Sequence, residues 1–200
     1  MKKILIGFSL LAFLFFINSC KKSYFKAPTP VELSFDQNKL PILANNGGDY
    51  FGFLTDGNVV WGQKQNSLDG AVKGDYNIKN NLMQLSFSHK LQSLYIDIRS
   101  NQLNVGDVYP LKDLMSNPLS SSANYYESTE PVKNDKGISW SEVTTYETYD
   151  DKPGFVKITN LDFQNRIISG EFELTVVQKN KNTQKNISKG RFDIKYRISN

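Results

Sequence analysis

Between Tyr50 and Ile198 the chain alternates apolar and polar residues with a period of two. Met83, Leu85, Phe87 and His89 fall on one side of a run whose other side carries Gln84, Ser86 and Ser88. Leu94, Ile96 and Ile98 oppose Tyr95, Asp97 and Arg99, and Val156 and Ile158 oppose Phe155, Lys157 and Thr159. Ile168, Gly170, Phe172, Leu174 and Val176 oppose Ser169, Glu171, Glu173 and Thr175. A last run sets Phe192, Ile194, Tyr196 and Ile198 against Arg191, Asp193, Lys195 and Arg197. Period-two patterning marks strands, and one-sided alternation marks antiparallel sheets with one wet face. Thr55-Asp56-Gly57 and Asn80-Asn81 stand between such runs as hairpin turns. A turn of helix is expected only over Leu111–Met115, between Pro110 and Asn117-Pro118. The pattern predicts one all-β domain, an antiparallel β-sandwich, with a lipocalin-like barrel as the alternative.

Three polar stretches read as loops: Ser116–Ser122, the long exposed connection Glu127–Gly137, and the hairpin loop Lys179–Asn186. Ahead of the strands the pattern changes completely. Met1-Lys2-Lys3 is followed by an uncharged apolar run, Ile4–Ile17. As a helix these residues reach about 21 Å, too short for a hydrocarbon core about 30 Å thick, so the run fits a secretory signal. Pro28 and Pro30 make Lys21–Glu32 an extended, semi-rigid tether. The expected organisation is a signal peptide over residues 1–19, a modified N-terminus and tether over 20–32, and one β domain over 33–200.

Ile17-Asn18-Ser19-Cys20 resembles the bacterial lipoprotein signal, with an aliphatic residue at −3, a small one at −1 and cysteine at +1. The resemblance implies that Cys20 is alkylated by a diacylglyceryl group, freed by cleavage before it, and acylated on its amino group. A thiol suits this because sulfur is the best nucleophile available near neutral pH. Two or three acyl chains, at about 0.8 kcal/mol per buried methylene, form a permanent anchor. Lys21 and Lys22 add attraction to anionic headgroups. Lys21 also supplies no acidic inner-membrane retention residue, which by resemblance to enteric sorting points to the outer membrane, on its periplasmic or external side.

The composition narrows the chemistry. The net charge of +4 includes Lys2 and Lys3 of the leader, so the folded part is nearly neutral and no nucleic-acid partner is expected. One cysteine and one histidine leave no disulfide framework and no ordinary zinc site. No Gly-x-Ser-x-Gly elbow, His-Glu-x-x-His motif or phosphate-cradling glycine loop occurs. His89 reads as a strand-end residue, and Glu171 and Glu173 as solvated carboxylates. Glu147 with Asp150 and Asp151 lacks the ordered spacing of a calcium loop. No metal, cofactor or catalytic residue is expected. The most suggestive group is aromatic: Tyr125, Tyr126, Trp140, Tyr146 and Tyr149, beside Asn124, Glu142, Glu147 and Asp150. Rings beside hydrogen-bonding groups suit stacking on sugar CH faces, although tyrosine and tryptophan are also ordinary strand residues.

Gly154–Asp162, Ile167–Leu174 and Lys189–Tyr196 together resemble a family of Bacteroidota lipoproteins of unknown function. That family carries an Ile-Ser-Gly-x-Phe strand and a closing Gly-Arg-Phe-Asp-x-x-Tyr strand, and Thr55–Trp61 echoes its Asn-Gly-x-x-Trp hairpin. The resemblance implies a lipid-anchored β-rich domain and transfers no catalytic residue. Gly170 and Gly190 suit bulges or close backbone approach, and Arg191 is expected to pair with Asp162 across the sheet. The expected function is a non-enzymatic envelope module binding a glycan or an envelope protein. A carboxylate-based hydrolase and a lipocalin-like carrier are the alternatives.

Overall fold

The computed structural model describes residues 33–64, 70–113, 119–179 and 181–200. The expected signal and tether, with Cys20, therefore lie outside the described residues, as do Leu114 and Met115 of the expected helical turn. Described Leu111 instead makes a parallel bridge to Ser121.

Turn residues in left-handed conformation set the hairpins. Asp56 and Gly57 have φ of 47° and 83°, the pair of positive values that a type I′ turn requires. They join β1 (Tyr50–Thr55) to β2 (Asn58–Gln63). Asn81, at φ 50°, precedes β4 (Leu82–His89), which pairs with β3 (Gly70–Asn77). Lys90, also at φ 50°, leads into β5 (Gln92–Arg99). There follow β6 (Val108–Pro110), β7 (Ser122–Ser128), β8 (Val132–Lys133), β9 (Ser139–Trp140) and β10 (Val143–Thr148). The chain closes with β11 (Gly154–Asp162), β12 (Ile167–Val177) and β13 (Gln184–Ser199). The stretch expected as one long exposed connection, Glu127–Gly137, instead begins at the end of β7 and contains β8, which pairs with β9 just beyond it in a small hairpin, tightened by Asn134, whose Oδ1 accepts from Lys136 and Ile138 N–H.

The strands run in hydrogen-bonded order β2-β1-β13-β3-β4-β5-β7-β10-β12-β11-β6, and β12 also pairs with β13. Seven of them, β13-β3-β4-β5-β7-β10-β12, therefore close into a ring, with β1-β2 and β11-β6 attached to its flanks. The corners come from long strands that change partners. One edge of β13 pairs with β1 through Asp193 and then with β3 from Tyr196, in parallel. That pairing is the exception to an otherwise antiparallel set of strand pairs. Likewise β12 pairs first with β11 and then, at Val176 and Val177, with β10. The result is all-β and combines features of a sandwich and a barrel.

Inside, the two walls meet through rings. Phe87 of β4 stacks on Phe51 of β1 at 5.0 Å and on Phe172 of β12 at 6.0 Å, with Phe192 of β13 at 5.9 Å. Tyr125 of β7 meets Phe53 edge-on at 6.4 Å. Three of these rings lie directly opposite a glycine: Phe51 against Gly62, Phe172 against Gly190, and Phe192 against Gly170. A Cβ at Gly190 would sit 2.4 Å from the Phe172 ring, and one at Gly170 would sit 2.6 Å from Phe192. The large ring fills the space that the missing side chain leaves.

On the outside, two outward positions of β13 are covered: Arg191 is half-buried and Asp193 buried, while Lys189, Lys195 and Arg197 stay exposed. The segment 33–49 lies across them as a strap. Lys189 Nζ donates to Asn38 Oδ1 at 3.0 Å. Arg191 donates to Asp36 Oδ2 at 2.9 Å and to the Pro41 carbonyl at 3.2 Å. The expected Arg191–Asp162 pair is therefore corrected: Asp162 accepts from Asn165 N–H and its side-chain amide instead, a local turn that needs no partner across the sheet. Asp193, also expected on the wet face, is fully buried. Its carboxylate accepts from the backbone N–H of Asn46 (3.0 Å), Gly47 (2.9 Å) and Gly48 (3.3 Å) and from Ser169 Oγ (2.8 Å). Asn45, Gly47 and Asp49 are left-handed, the alternation that turns successive N–H groups into an anion-binding nest. Lys195 N–H donates to Asp49 Oδ1 at 2.8 Å. Beside this, buried Tyr50 donates its hydroxyl to Ile42 O and accepts from Ala44 N–H, both at 2.7 Å.

Two outcomes follow from the strap. Asp193→Ala leaves the N–H groups of Asn46, Gly47 and Gly48 without their acceptor, the last two buried, and should cost about 3–5 kcal/mol by urea denaturation. Amide hydrogen exchange at residues 46–48 should accelerate more than in the core strands. Burial, with the Asp193 carboxylate nearby, pushes the Tyr50 hydroxyl up to about 12. Because the folded state holds this proton more tightly, the associated stability is present below pH 10 and is lost between about pH 10 and 12, at about 1.4 kcal/mol per unit. Tyr50→Phe should therefore lose about 2–3 kcal/mol less than the parent across that alkaline window, as read from denaturation midpoints at each pH.

Candidate functional site

Strand alternation decides where the five aromatic residues point. Tyr125 and Tyr126 are neighbours on β7, so one must face inward and the other outward. Tyr125 is fully buried, and Tyr146 of β10, directly opposite it, is nearly so. Both rings face inward, so neither is available to a ligand stacking from outside. Tyr126 faces outward, Tyr149 lies in the turn after β10, and Trp140 stands on the β8–β9 hairpin, 48 % exposed.

Tyr125 and Tyr146 instead take part in a polar network. Their hydroxyls donate to the two oxygens of Glu127 at 3.1 and 3.4 Å. Lys185 lies 3.2 Å from Glu127 and 3.5 Å from Asp56, with its ammonium 5.9 Å from the centre of the Tyr146 ring. Burial and then the Glu127 charge raise both tyrosines above the ordinary phenol range, so they remain hydrogen donors at neutral pH. Burial alone would depress Lys185, but Glu127 beside it holds the ammonium above the usual lysine value. The network ties β7, β10, β13 and the β1–β2 turn together.

The outer face of β4, β5, β7 and β10 is different. The register sets Ser86, Tyr95, Asn124 and Glu147 in one row across the four strands, and Ser88, Ser93, Tyr126 and Thr145 in the next. Tyr95, 43 % exposed, meets Tyr126 edge-on, with ring centres 5.5 Å apart and planes at 89°. Gln84 donates to Asp97 Oδ1 at 3.2 Å, and the Ser88 and Ser93 hydroxyls lie 3.0 Å apart. Together with Asn124 and Val143, the two tyrosines, Gln84, Ser93 and Asp97 line an open groove of about 460 Å³. Burial, then Tyr95 and the Glu147 charge, raise the Tyr126 hydroxyl, so it acts as a neutral donor. Because the rings are perpendicular, a flat apolar ligand face can lie along one of them while the other bounds its edge. Amide, carboxylate and hydroxyl groups around them offer both donors and acceptors.

Tyr126 and Asn124 of this groove are visible in the aromatic stretch of the sequence. Tyr95 was missed, although its position among Leu94, Ile96 and Ile98 already places an aromatic ring on the polar face. Elsewhere, His89 ends β4 opposite Gln92. Glu171 and Glu173 are exposed on β12 beside Lys189 and Arg191, in a shallow groove of about 250 Å³, and Glu173 accepts from Lys189 N–H at 3.3 Å. Asp150 accepts from Asp113 N–H at 3.0 Å. Among the described residues, no three His, Cys, Asp or Glu side chains come together as metal ligands. No helix among them is long and apolar enough to cross a membrane. No protein-family model, curated protein or solved structure matches the chain.

The inner and outer tyrosines should separate under substitution. Glu127→Ala removes the acceptor of two enclosed hydroxyls and should cost about 2–3 kcal/mol. Tyr126→Ala, on the open face, should cost less than half of that, measured by urea denaturation of both variants.

Proposed function

We propose that this chain is a lipid-anchored, non-enzymatic module of the bacterial cell envelope, of the Bacteroidota lipoprotein type, that binds a glycan on the outer face of β4, β5, β7 and β10. The carrying observation is the Tyr95–Tyr126 pair set among Gln84, Ser93, Asp97 and Asn124. Sugar rings present CH faces that lose little by leaving water, and hydroxyls that need both donors and acceptors. This groove supplies rings, a carboxylate, two amides and hydroxyls together. The anchor is supported by the apolar leader ending in Ile17-Asn18-Ser19-Cys20, and outer-membrane placement by Lys21 through its resemblance to enteric sorting.

Two features weigh against the alternatives. A carrier needs an apolar cavity, whereas Phe51, Phe87, Phe172 and Phe192 are in mutual contact between the walls. A carboxylate hydrolase needs an acid sheltered from water, whereas Glu171 and Glu173 are both exposed. An envelope-protein partner is favoured by one other observation, the exposed Val132, Ile138 and Trp140 on the β8–β9 hairpin.

A glycan array followed by calorimetry tests the reading. Tyr126→Ala should weaken binding roughly tenfold, the equivalent of losing about 50 Å² of stacked apolar area, with the folded far-ultraviolet spectrum retained. Absence of any bound glycan at millimolar concentration would overturn the glycan reading.

A further inference from the structure

We infer that the outer face formed by β2 and the strap, around Phe35 and Trp61, rests on the surface of a lipid bilayer, an inference that depends on the lipid anchor proposed for Cys20. Phe35 is 43 % exposed, yet it packs edge-on against Trp61 at 5.0 Å. Val59, two residues before Trp61 and so on the same face of β2, is 41 % exposed. Ile42, on the strap arm hydrogen-bonded to Ser34, is also exposed. Exposed Lys39 stands four residues after Phe35 in the strap, and exposed Lys64 three residues after Trp61, 3.9 Å from the Asp49 carboxylate. Apolar and aromatic side chains interspersed with lysines are the composition that partitions into the headgroup boundary of an anionic membrane.

The chain outside the described residues identifies the occupant. Twelve residues, 21–32, separate Cys20 from Leu33, a span of at most about 45 Å when fully extended. The chain enters the described fold two residues before Phe35, so this face stands next to the point at which the anchor holds the domain. Tethering keeps the local concentration of bilayer high, and a contact too weak to recruit a free protein is then occupied. The geometry also fits the glycan reading. The strap covers the β1-β2-β13 wall, while the Tyr95–Tyr126 groove lies on the outer side of the β4-β5-β7-β10 wall. Contact at the first leaves the second directed away from the membrane.

The two tryptophans make the test direct, because Trp61 lies on this face and Trp140 on the β8–β9 hairpin. The full lipidated chain is reconstituted in phosphatidylethanolamine–phosphatidylglycerol vesicles, plain or with brominated acyl chains. With Trp140→Phe, emission from Trp61 should be quenched by bromine severalfold more than emission from Trp140 in Trp61→Phe. Adding Phe35→Ser and Val59→Ser to the Trp140→Phe chain should remove most of that quenching. Equal Trp61 emission in plain and brominated vesicles, with Cys20 lipidated by mass spectrometry, overturns this inference and leaves the anchor standing. Quenching of Trp140 instead, or full Trp61 quenching in the triple variant, also overturns it. A bare Cys20 overturns the anchor, and this inference with it.

Discussion

The buried carboxylate of Asp193 is the interaction on which the outside of this molecule depends. A charge removed from water is costly unless hydrogen bonds replace its hydration, and here three backbone N–H groups and a serine hydroxyl do so. The replacement requires Asn46, Gly47 and Gly48 to be held in one conformation, and Gly47 carries part of that requirement. Its φ is +71°, and a Cβ there would meet Ile167 at 2.9 Å and Lys195 at 3.0 Å. Once the nest is formed, the rest of the strap has little freedom. Leu40 and Pro41 are laid over Gly52, where a side chain would collide with Pro41 at 2.7 Å. Asp36 is brought to Arg191. Burial opposes ionisation of Asp36, but the N–H groups of Leu40 and Asn38, with Arg191, hold its carboxyl below the ordinary range.

Inside the ring a different rule governs. The cross-strand phenylalanine–glycine pairs let large rings lie flat against the neighbouring backbone. The two walls then meet through ring stacking, and little of the apolar surface remains for a ligand. On the proposed reading, binding chemistry belongs to the outer faces. Of these, the strap occupies one and the perpendicular tyrosines mark the other. The polar network at Glu127 belongs to neither: it joins two strands of one wall to β13 of the other.

Much of this was legible in the sequence. The left-handed turn residues at Asp56-Gly57 and Asn81 and the alternation of Leu94–Arg99 required only local rules. The positions of Gly170 and Gly190 also pointed correctly to close backbone approach. What failed was partner choice over long distances. Arg191 and Asp193 sit in a pattern indistinguishable from a solvated face, because their partners lie in a segment without regular secondary structure. Asp162 looked available for Arg191, yet Asn165 satisfies it within the same turn. The aromatic cluster divides for a simpler reason: Tyr125 and Tyr126 are neighbours and must diverge on any strand. Tyr95, on another strand, entered the groove only once β5 was known to pair with β7.

The contact between the 46–48 loop and Asp193 closes a chain separation of about 146 residues. Closing such a loop carries an entropy that local hairpins do not, and topologies dominated by distant pairings assemble slowly. The β1–β2, β3–β4 and β4–β5 hairpins can form from local information, whereas the nest has nothing to enclose until β13 is in place beside β12. The first segment of the described fold is thus held by the strand furthest from it in the chain. The turn at Asp36–Leu40 and the Phe35–Pro41 bridge can form locally, but residues 46–48 find their acceptor only when that strand docks, and the closed strap reports completion of the β domain.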